Sequence, residues 1–217
     1  MIAGACPEGW AESFPDGLVS VVIDLIISGW ALIKIHSLND GENDITRRLV
    51  SVLRQQKRAR ALPFQIDREV PIDDQDASAD QGRLDIRFMT GHDEDIYLAF
   101  ECKRLRIKDD KGVRRSLSSE YISEGMMRFV DGKYSTSVKV GGMLGYILDG
   151  NHLRAVSSIG RLVHAKCTEL KLQQGTALDR SELLPDDERV RQTVHALERG
   201  QFLIHHLLLR PVNGSIA

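Results

Sequence analysis

Two adjacent segments of the chain, residues 82–91 and residues 95–104, alternate between apolar and polar side chains. A period of two residues is typical of a β-strand that buries one face. The three residues between the segments, His92, Asp93 and Glu94, have the length and polarity of a turn. The pattern therefore predicts a β-hairpin near the middle of the chain.

The alternation also predicts the register of this hairpin, because residues that face each other across an antiparallel pair share one side of the sheet. Matching apolar residues gives three facing pairs: Phe88 with Leu98, Ile86 with Phe100, and Leu84 with Cys102. In that register Asp85 lies directly opposite Glu101, and Lys103 points to the same side two residues further on. We expect these three side chains to line one cleft.

The remaining patterns predict an α/β fold in which helices flank a mixed sheet. The predicted helices are residues 17–36, 39–60, 118–132 and 152–173, and the predicted strands outside the hairpin are residues 62–70, 141–150 and 201–210. The run between glycines at 141–150 is uniformly apolar, as expected of a strand buried on both faces in a parallel pair. Asn39-x-x-Glu42 predicts a capping box at the start of the second helix.

The most apolar part of the chain, residues 18–35, is a candidate membrane span. Asp24 and Lys34 interrupt it, and an apolar stretch must extend over about 20 residues to cross a bilayer. The run also starts too late and lacks the basic flank of a secretory signal peptide. It therefore predicts a buried helix.

Composition narrows the class of protein. A chain of 217 residues with 42% hydrophobic and 28% charged residues is expected to form one soluble globular domain. The net charge of −2 gives no overall attraction to nucleic acid, so any basic surface must be local. The three cysteines, Cys6, Cys102 and Cys167, are odd in number and far apart, which favours the reducing cytoplasm over a disulfide framework.

The opposed carboxylates of Asp85 and Glu101 are the most informative residues for function. Opposed Cβ atoms lie about 5 Å apart, and like charges at that distance are destabilising. A divalent cation between the carboxylates reverses the sign of this interaction, since Mg²⁺ prefers hard oxygen ligands. On this hypothesis Asp85→Ala leaves the metal-free protein at least as stable as the parent. The alternative is a solvated sheet face on which Arg83 and Arg87 form salt bridges with Asp85.

An aspartate in the middle of one strand and Glu-x-Lys on the next, here Asp85 and the segment from Glu101 to Lys103, resembles the PD-(D/E)XK, or restriction-endonuclease-like, nuclease superfamily. The resemblance implies a core of order α-β-β-β-α-β, which the predicted elements follow from residue 39. One departure is Leu84, because the family often has proline at this position.

The resemblance covers residues 39–150, about half of a single domain that spans residues 1–217. Residues 1–38 are then an N-terminal helical extension. Residues 151–217 are expected to form C-terminal helices and a last strand.

The same resemblance implies a Mg²⁺- or Mn²⁺-dependent nuclease that hydrolyses phosphodiester bonds. It implies that Asp85, Glu101 and the backbone carbonyl of Cys102 hold the metal. It also implies that Lys103 offsets the negative charge that develops on the attacked phosphate.

A carboxylate from the helix before the first strand joins the metal site in many members of the superfamily. Glu42 is the matching residue here, both as a metal ligand and as a catalytic residue, with Asp44 as the second choice. The alternative role for Glu42 is structural, because an acidic residue near a helix N-terminus complements the helix dipole.

The helix after the Glu-x-Lys strand often supplies polar residues to the metal site or the scissile phosphate in this superfamily. Tyr121, Glu124 and Arg128 recur at helical spacing and are expected to share a face. The resemblance implies substrate-binding roles for them. Glu124 would support Lys103, and Arg128 would hold a phosphate oxygen. The alternative is an ion pair between Glu124 and Arg128 on a solvated face.

The segment after the Glu-x-Lys strand is strongly basic. From Lys103 to Arg115 there are seven basic and two acidic residues, and Arg104 and Arg106 are the candidates for substrate binding. Basic residues of the second helix are expected to extend this surface: Arg54, Lys57, Arg58 and Arg60. Such a surface binds phosphates without reading bases. The alternative is an ordinary charged loop.

No helix-turn-helix, zinc finger or separate recognition domain is visible in the sequence. A protein partner or a homo-oligomer is therefore expected to supply targeting. Small free-standing proteins of this type are similar to effectors of bacterial restriction and phage-defence systems, which implies DNA as the substrate. Two alternatives stay open: a catalytically silent member of the fold that acts as a scaffold or binding subunit, and a metal-dependent enzyme acting on a small phosphorylated molecule.

Overall fold

A seven-stranded mixed sheet runs through the centre of the protein and separates its helices into two layers. The computed structural model describes residues 14–71, 83–91, 96–109, 111–132 and 138–211. The strands are β1 (Gln65–Pro71), β2 (Arg83–Met89), β3 (Tyr97–Leu105), β4 (Ile107–Lys108), β5 (Arg114–Arg115), β6 (Val140–Ile147), β7 (Asp179–Arg180), β8 (Val190–Leu197) and β9 (Gly200–Leu209). The helices are α1 (Asp16–Trp30), α2 (Glu42–Ala59), α3 (Ser118–Tyr121), α4 (Met127–Val130) and α5 (His152–Ala165), with a π-helical segment, Ile122–Met126, between α3 and α4.

The strand order in the sheet is β1-β2-β3-β6-β9-β8-β7. The central strands β3, β6 and β9 are parallel to one another, and all other neighbouring strands are antiparallel. β4 and β5 form a separate two-stranded ribbon that lies between β3 and α3 in the chain. The prediction of a mixed sheet flanked by helices is confirmed.

Alternate residues of the central strands pack into two hydrophobic clusters, one on each face of the sheet. In β6, Leu144 and Tyr146 belong to the cluster that α1 and α2 cover, whereas Met143 and Ile147 belong to the cluster beneath α3, the π-helical segment, α4 and α5. Every residue of β6 after the first is buried, and β6 pairs with β3 and β9 in parallel. The predicted interior strand within residues 141–150 is therefore confirmed.

α1 is the buried helix that the apolar run predicts, and it ends at Trp30, earlier than predicted. The chain continues in a non-helical segment that still buries Ile33 and Ile35. α1 packs closely on α2, where a Cβ atom built on Gly29 would lie 2.6 Å from Cδ2 of Leu53. In the part of the chain that the structure describes, no helix has the length and apolarity to cross a membrane.

α2 begins at Glu42, and the predicted capping box at its N-terminus is wrong. Gly41 occupies the N-cap position, and no side chain caps the helix. The Glu42 carboxylate does not turn back on its own helix, because its Oε2 atom accepts a hydrogen bond of 2.9 Å from the backbone N–H of Arg104. The start of α2 therefore directs an acidic side chain at β3.

The C-terminal part of the chain belongs to the central sheet, and the predicted C-terminal helices with one last strand are wrong in part. α5 ends at Ala165, before the predicted residue 173. β9 pairs with β6 at the centre of the sheet, and β8 and β7 follow it. β8 was not predicted because it buries three polar residues, Gln192, Thr193 and His195, which break the apolar pattern.

A row of hydrogen bonds satisfies buried polar groups between the last two strands and α3. The Tyr121 hydroxyl lies 2.9 Å from Nδ1 of His206. The Thr193 hydroxyl lies 2.9 Å from Nε2 of His206 and 2.8 Å from Nε2 of His195. Nδ1 of His195 donates to the carbonyl of Leu170 at 2.7 Å. Because each of these groups has a partner, β8 can be buried despite its polar residues.

Candidate functional site

β3 loses its partner β2 part-way along its length. The antiparallel pairing of β2 with β3 ends at Ile86 and Phe100, whereas β3 stays paired with β6 as far as Leu105. Among the described residues, no strand pairs with this side of β3 from residue 101 onward. The N–H and C=O groups of Cys102 both bond to side chains there. We call this divergence of β2 from β3, at residues 101–105, the fork.

The predicted hairpin register is correct up to the fork and wrong beyond it. Phe88 and Ile86 have the facing partners on β3 that the alternation predicts. Leu84 and Cys102 do not form the third pair, because Leu84 packs into the cluster beneath α3–α5 and Cys102 into the cluster covered by α1 and α2. The loss of pairing changes the position of Asp85.

Asp85 lies in the fork and does not face Glu101 across a regular ladder. Its Oδ2 atom accepts a hydrogen bond of 2.7 Å from the backbone N–H of Cys102. On its other side, the pairing of β1 with β2 skips the Asp85 position, where Glu69 of β1 has a left-handed φ of 52°. The Asp85 carboxylate thus accepts the hydrogen bond that a backbone carbonyl would accept in a regular ladder, at the point where β2 and β3 diverge.

Glu101 is buried, and an arginine balances its charge. Its side chain has 0% exposure, and its Oε2 atom lies 3.0 Å from Nη1 of Arg128 on α4. The same guanidinium nitrogen donates to the carbonyl of Arg83 at 3.2 Å. Burying a charge is costly unless it is paired, so Arg128, predicted to hold a substrate phosphate, stabilises Glu101 in this state.

Lys103 reaches across the fork to the start of α2. Its Nζ atom lies 3.3 Å from Oε1 of Glu42 and 3.1 Å from the carbonyl oxygen of Cys102. The sequence predicted Glu42 and Lys103 as residues of one site, and their side chains are in contact in the structure. Asp44, the second choice, is exposed and pairs with Arg47.

Burial and nearby charges shift the pKa values of Asp85 and Lys103 in opposite directions. Burial raises the pKa of Asp85, and the N–H of Cys102 and the ammonium of Lys103 offset only part of this effect. Burial alone lowers the pKa of Lys103, but attraction to Glu42, Asp85 and Glu101 outweighs it, so that pKa is raised. Lys103 is therefore an ammonium at neutral pH, and one cation interacts with three carboxylates.

The π-helical segment beside Lys103 was not predicted. It brings Gly125 against the sheet, where a Cβ atom built on the glycine would lie 2.3 Å from Cε of Met143 and 3.6 Å from Cγ of Lys103. Glycine is less favourable than alanine inside a helix, and π-bulges occur frequently at functional sites. The glycine in the middle of a helical pattern was the sequence signal for this close approach.

The structure contradicts the substrate-contacting position predicted for Tyr121 and the support of Lys103 predicted for Glu124. Tyr121 has 0% exposure, and its hydroxyl is bonded to His206. Glu124 is exposed, and among the described residues it contacts neither Lys103 nor Arg128. Glu124 and Arg128 still line one surface pocket, whereas Tyr121, which precedes the π-helical segment, points into the core.

The basic residues near the fork are engaged with the protein itself. Nη1 of Arg104 donates to the carbonyl of Asp40 at 3.2 Å. Nε of Arg106 lies 2.8 Å from Oδ2 of Asp149, and both of these side chains are largely buried. Two arginines of α2 and the residue that follows this helix are used similarly: Arg48 pairs with Asp40, Arg54 with the carbonyl of Ile66, and Arg60 with Asp24. Arg104 and Arg106, the predicted substrate-binding residues, are therefore not free cations, and Arg106 does not face a substrate. Lys57 and Arg58 lie in the last turn of α2, at the opposite end of that helix from Glu42 and the fork.

The fork supplies oxygen atoms of the kind that a hard divalent cation binds. These are the carboxylates of Asp85 and Glu101 and the carbonyl of Cys102. Within the described ranges, no three His, Cys, Asp or Glu side chains are grouped closely enough to hold a metal ion. Mg²⁺ commonly uses one or two carboxylates together with water and substrate phosphates. The donor set fits such an ion, whereas a closed site made only of side chains is not formed.

Comparisons of the chain with protein-family models, with curated proteins and with solved structures give no match. The geometry of the fork and the resemblance of its motif are thus the basis for a functional proposal.

Proposed function

We propose that this protein is a divalent-metal-dependent nuclease of the PD-(D/E)XK superfamily that hydrolyses phosphodiester bonds of DNA. The observation that carries the proposal is the fork, at which Asp85, Glu101 and Glu42 interact with one charged lysine, Lys103. The three carboxylates come from three separate elements. Bringing acidic groups together in a partly buried site opposes stability, and such arrangements are typical of functional sites.

Asp85, Glu101 and the carbonyl of Cys102 would hold Mg²⁺ or Mn²⁺ at the fork, with Glu42 at its border. A bound ion of this kind polarises the phosphate and lowers the pKa of its bound water. Release of Glu101 by Arg128 would free its Oε2 atom for the ion. The guanidinium of Arg128 has 30% exposure, and once released it has the planar geometry that suits a phosphate oxygen pair.

Lys103 acts as a fixed positive charge in this proposal. Its pKa is raised by the surrounding carboxylates, so it donates hydrogen bonds at neutral pH and does not accept a proton. Glu42 and the Cys102 carbonyl hold its ammonium in the fork. A preorganised cation at that position offsets the negative charge that develops on the attacked phosphate. Glu42 is then a positioning residue for Lys103.

A catalytically silent member of the same fold, acting as a scaffold or binding subunit, is the second candidate. The observation that favours it is the complete internal pairing of the acidic groups. Asp85 is bonded to a backbone N–H, Glu101 to Arg128, and Glu42 to Lys103. These contacts give each of the three carboxylates a hydrogen-bond donor without a metal ion.

Cleavage assays with purified protein test the proposal. The substrates are plasmid, linear duplex, single-stranded DNA, RNA and a small phosphodiester, each with Mg²⁺ or Mn²⁺ and with chelator. Asp85→Asn is expected to abolish cleavage and Glu42→Gln to impair it. Asp44→Asn is the matched control, because Asp44 lies in the same first turn of α2 but is exposed and paired with Arg47.

Three outcomes decide between the candidates. Metal-dependent cleavage that the Asp85 variant loses and the Asp44 variant keeps supports the nuclease. Cleavage that persists in the Asp85 variant refutes the assignment of the fork as the active site. A protein that cleaves none of the substrates, and whose thermal stability does not respond to Mn²⁺, favours the scaffold.

Targeting by a protein partner or by a second copy of the chain is also part of the proposal. The context that the family resemblance suggests is a bacterial restriction or phage-defence system. Size-exclusion chromatography with light scattering, at several protein concentrations, tests the second copy directly.

A further inference from the structure

Five exposed basic side chains on the β4–β5 ribbon and on α5 have no acidic partner among the described residues. They are Lys108, Lys111, Arg114, Arg154 and Arg161. This contrasts with the arginines close to the fork, which hydrogen-bond to carboxylates and carbonyls of the protein. Exposed cations that are available to a ligand are therefore present beyond the end of β3.

The ribbon places like charges directly opposite each other. Lys108 faces Arg114 across the two strands, and like charges in that position are destabilising. The described acidic residue of the ribbon, Asp109, uses its Oδ1 atom to accept hydrogen bonds from the backbone N–H groups of Lys111 and Val113, at 3.0 and 2.8 Å. Asp109 thus closes the turn of the ribbon, and an external anion would relieve the repulsion between its strands.

The ribbon and α5 border a cleft of about 660 Å³. Arg115 of β5 lies on one side of it and Arg161 of α5 on the other. Hydroxyl groups line the space between them: Ser116, Ser118, Ser119 and Ser158. α5 contains no acidic residue. Glu120 also lines the cleft, and its carboxylate lies 3.7 Å from Arg115, with side-chain exposures of 36% and 56%. An ion pair this accessible to water contributes little.

The cleft and the fork lie on the same side of the sheet. Both are bordered by the helical segment that runs from α3 through the π-helical residues to α4. Ser118 and Ser119 at its start line the cleft, whereas Gly125 and Arg128 further along contact Lys103 and Glu101, respectively. From Lys103 the chain enters the ribbon within five residues, at most ~17 Å of extended backbone. That distance corresponds to about five base steps of a DNA duplex.

We infer that the β4–β5 ribbon and the Arg115–Arg161 cleft form a docking surface for the sugar-phosphate backbone of nucleic acid. The role of this surface as a substrate dock rests on the proposed function, whereas its binding of nucleic acid requires no cleavage. Guanidinium, ammonium and hydroxyl groups contact phosphates without reading bases. The surface replaces Arg104 and Arg106 as the place where the substrate is held.

Binding of a short fluorescent DNA duplex of arbitrary sequence, followed by anisotropy in chelator across a series of salt concentrations, tests the inference. Two double variants each remove two positive charges: Lys108→Gln with Arg114→Gln, and Arg115→Gln with Arg161→Gln. The matched control is Lys57→Gln with Arg58→Gln, because these residues lie at the other end of α2 from Glu42, in the opposite helical layer.

Each ribbon or cleft double variant is expected to lower the affinity at moderate salt by roughly tenfold or more, equally for all sequences. The slope of log K against log salt is expected to fall by about 2, since each phosphate contact contributes close to one unit. The control variant is expected to bind as the parent does. Thermal melting of all three variants checks that they are folded.

An unchanged salt slope in both test variants, or an equal loss in the control, overturns the inference. Competition by polyglutamate at the same concentration of charge also overturns it, and assigns the surface to an acidic protein. A protein that cleaves nothing but binds DNA through the ribbon upholds the docking surface and refutes only the nuclease. A protein that cleaves and binds DNA equally well with and without these charges refutes only the docking surface.

Discussion

Removal of the Arg128 guanidinium is expected to destabilise the metal-free protein strongly. Arg128 is the ion-pair partner of Glu101, whose side chain has 0% exposure. Breaking a buried ion pair by removing one member costs about 3–5 kcal/mol. Because Arg128 itself keeps 30% exposure and the ammonium of Lys103 still attracts Glu101 in the variant, we expect the lower end, about 3 kcal/mol. For a chain of 217 residues this corresponds to a fall in Tm on the order of 6–12 °C.

Urea unfolding of Arg128→Met in the presence of chelator measures this loss. Arg47→Met is the matched control, because Arg47 and Asp44 form an ion pair of 2.9 Å with side-chain exposures of 64% and 65%. An exposed pair of this kind is worth less than about 1 kcal/mol. The double variant Glu101→Gln with Arg128→Met is expected to recover part of the loss, because it removes the buried charge together with its partner.

Added metal then separates the two candidate functions. If Glu101 is a metal ligand, Mn²⁺ at a hundredfold excess over its Kd stabilises Arg128→Met by about 2.7 kcal/mol, which nearly restores the parent's stability. A loss below about 1 kcal/mol would refute the reasoning from the buried pair. A full loss that Mn²⁺ does not relieve would refute Glu101 as a ligand and favour the scaffold.

Three further predictions concern the fork and the buried histidines. Asp85→Ala is expected to destabilise the metal-free protein by about 1–3 kcal/mol, because the Cys102 N–H loses its acceptor, whereas Asp85→Asn keeps an acceptor and should unfold near the parental urea concentration. This reverses the sequence-based expectation that removal of Asp85 is harmless, and equal stability of Asp85→Ala and the parent would contradict the role of that hydrogen bond. Lys103→Ala is expected to reduce cleavage by ~10²–10³-fold while the thermal shift caused by Mn²⁺ persists; loss of that shift as well would identify Lys103 as a structural residue. Burial lowers the pKa of His205 to about 4 from 6.5, so its neutral form stabilises the fold fully above pH 6.5. This contribution, on the order of 3 kcal/mol, is expected to be lost as the pH falls towards 4, and urea unfolding at several pH values should show a smaller loss in His205→Leu than in the parent.

Alternation along the chain predicted the elements that position the fork, because a strand with one buried face must place apolar residues at every second position. It therefore located β2 and β3, the register of Phe88 and Ile86, and the common side of Glu101 and Lys103. The apolar run of β6 was equally clear, since a strand buried on both faces has no polar positions.

The features that the sequence did not predict depend on partners that lie far away in the chain. Tyr121 points into the core because its hydroxyl meets His206, which is 85 residues away. Arg106 is held by Asp149, 43 residues further on. A linear pattern reports the period of an element but not the partner of a polar side chain. For the same reason the predicted register is wrong at Asp85. Its side chain bonds to the backbone of Cys102, where a regular strand ladder was expected.

In the row of buried hydrogen bonds from Tyr121 to Leu170, the donor and the acceptor of every bond can be assigned in only one way. A carbonyl can only accept, so His195 donates from Nδ1. Burial lowers the pKa of His195 and of His206 and keeps both rings neutral, with one donor and one acceptor each. It follows that Thr193 donates to His195, His206 donates to Thr193, and Tyr121 donates to His206. A single substitution interrupts this order and leaves a buried polar atom without a hydrogen-bond partner. Joint replacement of the residues by apolar residues of similar shape leaves no such atom. In the evolution of related chains we therefore expect these four side chains to be inherited and exchanged as one set.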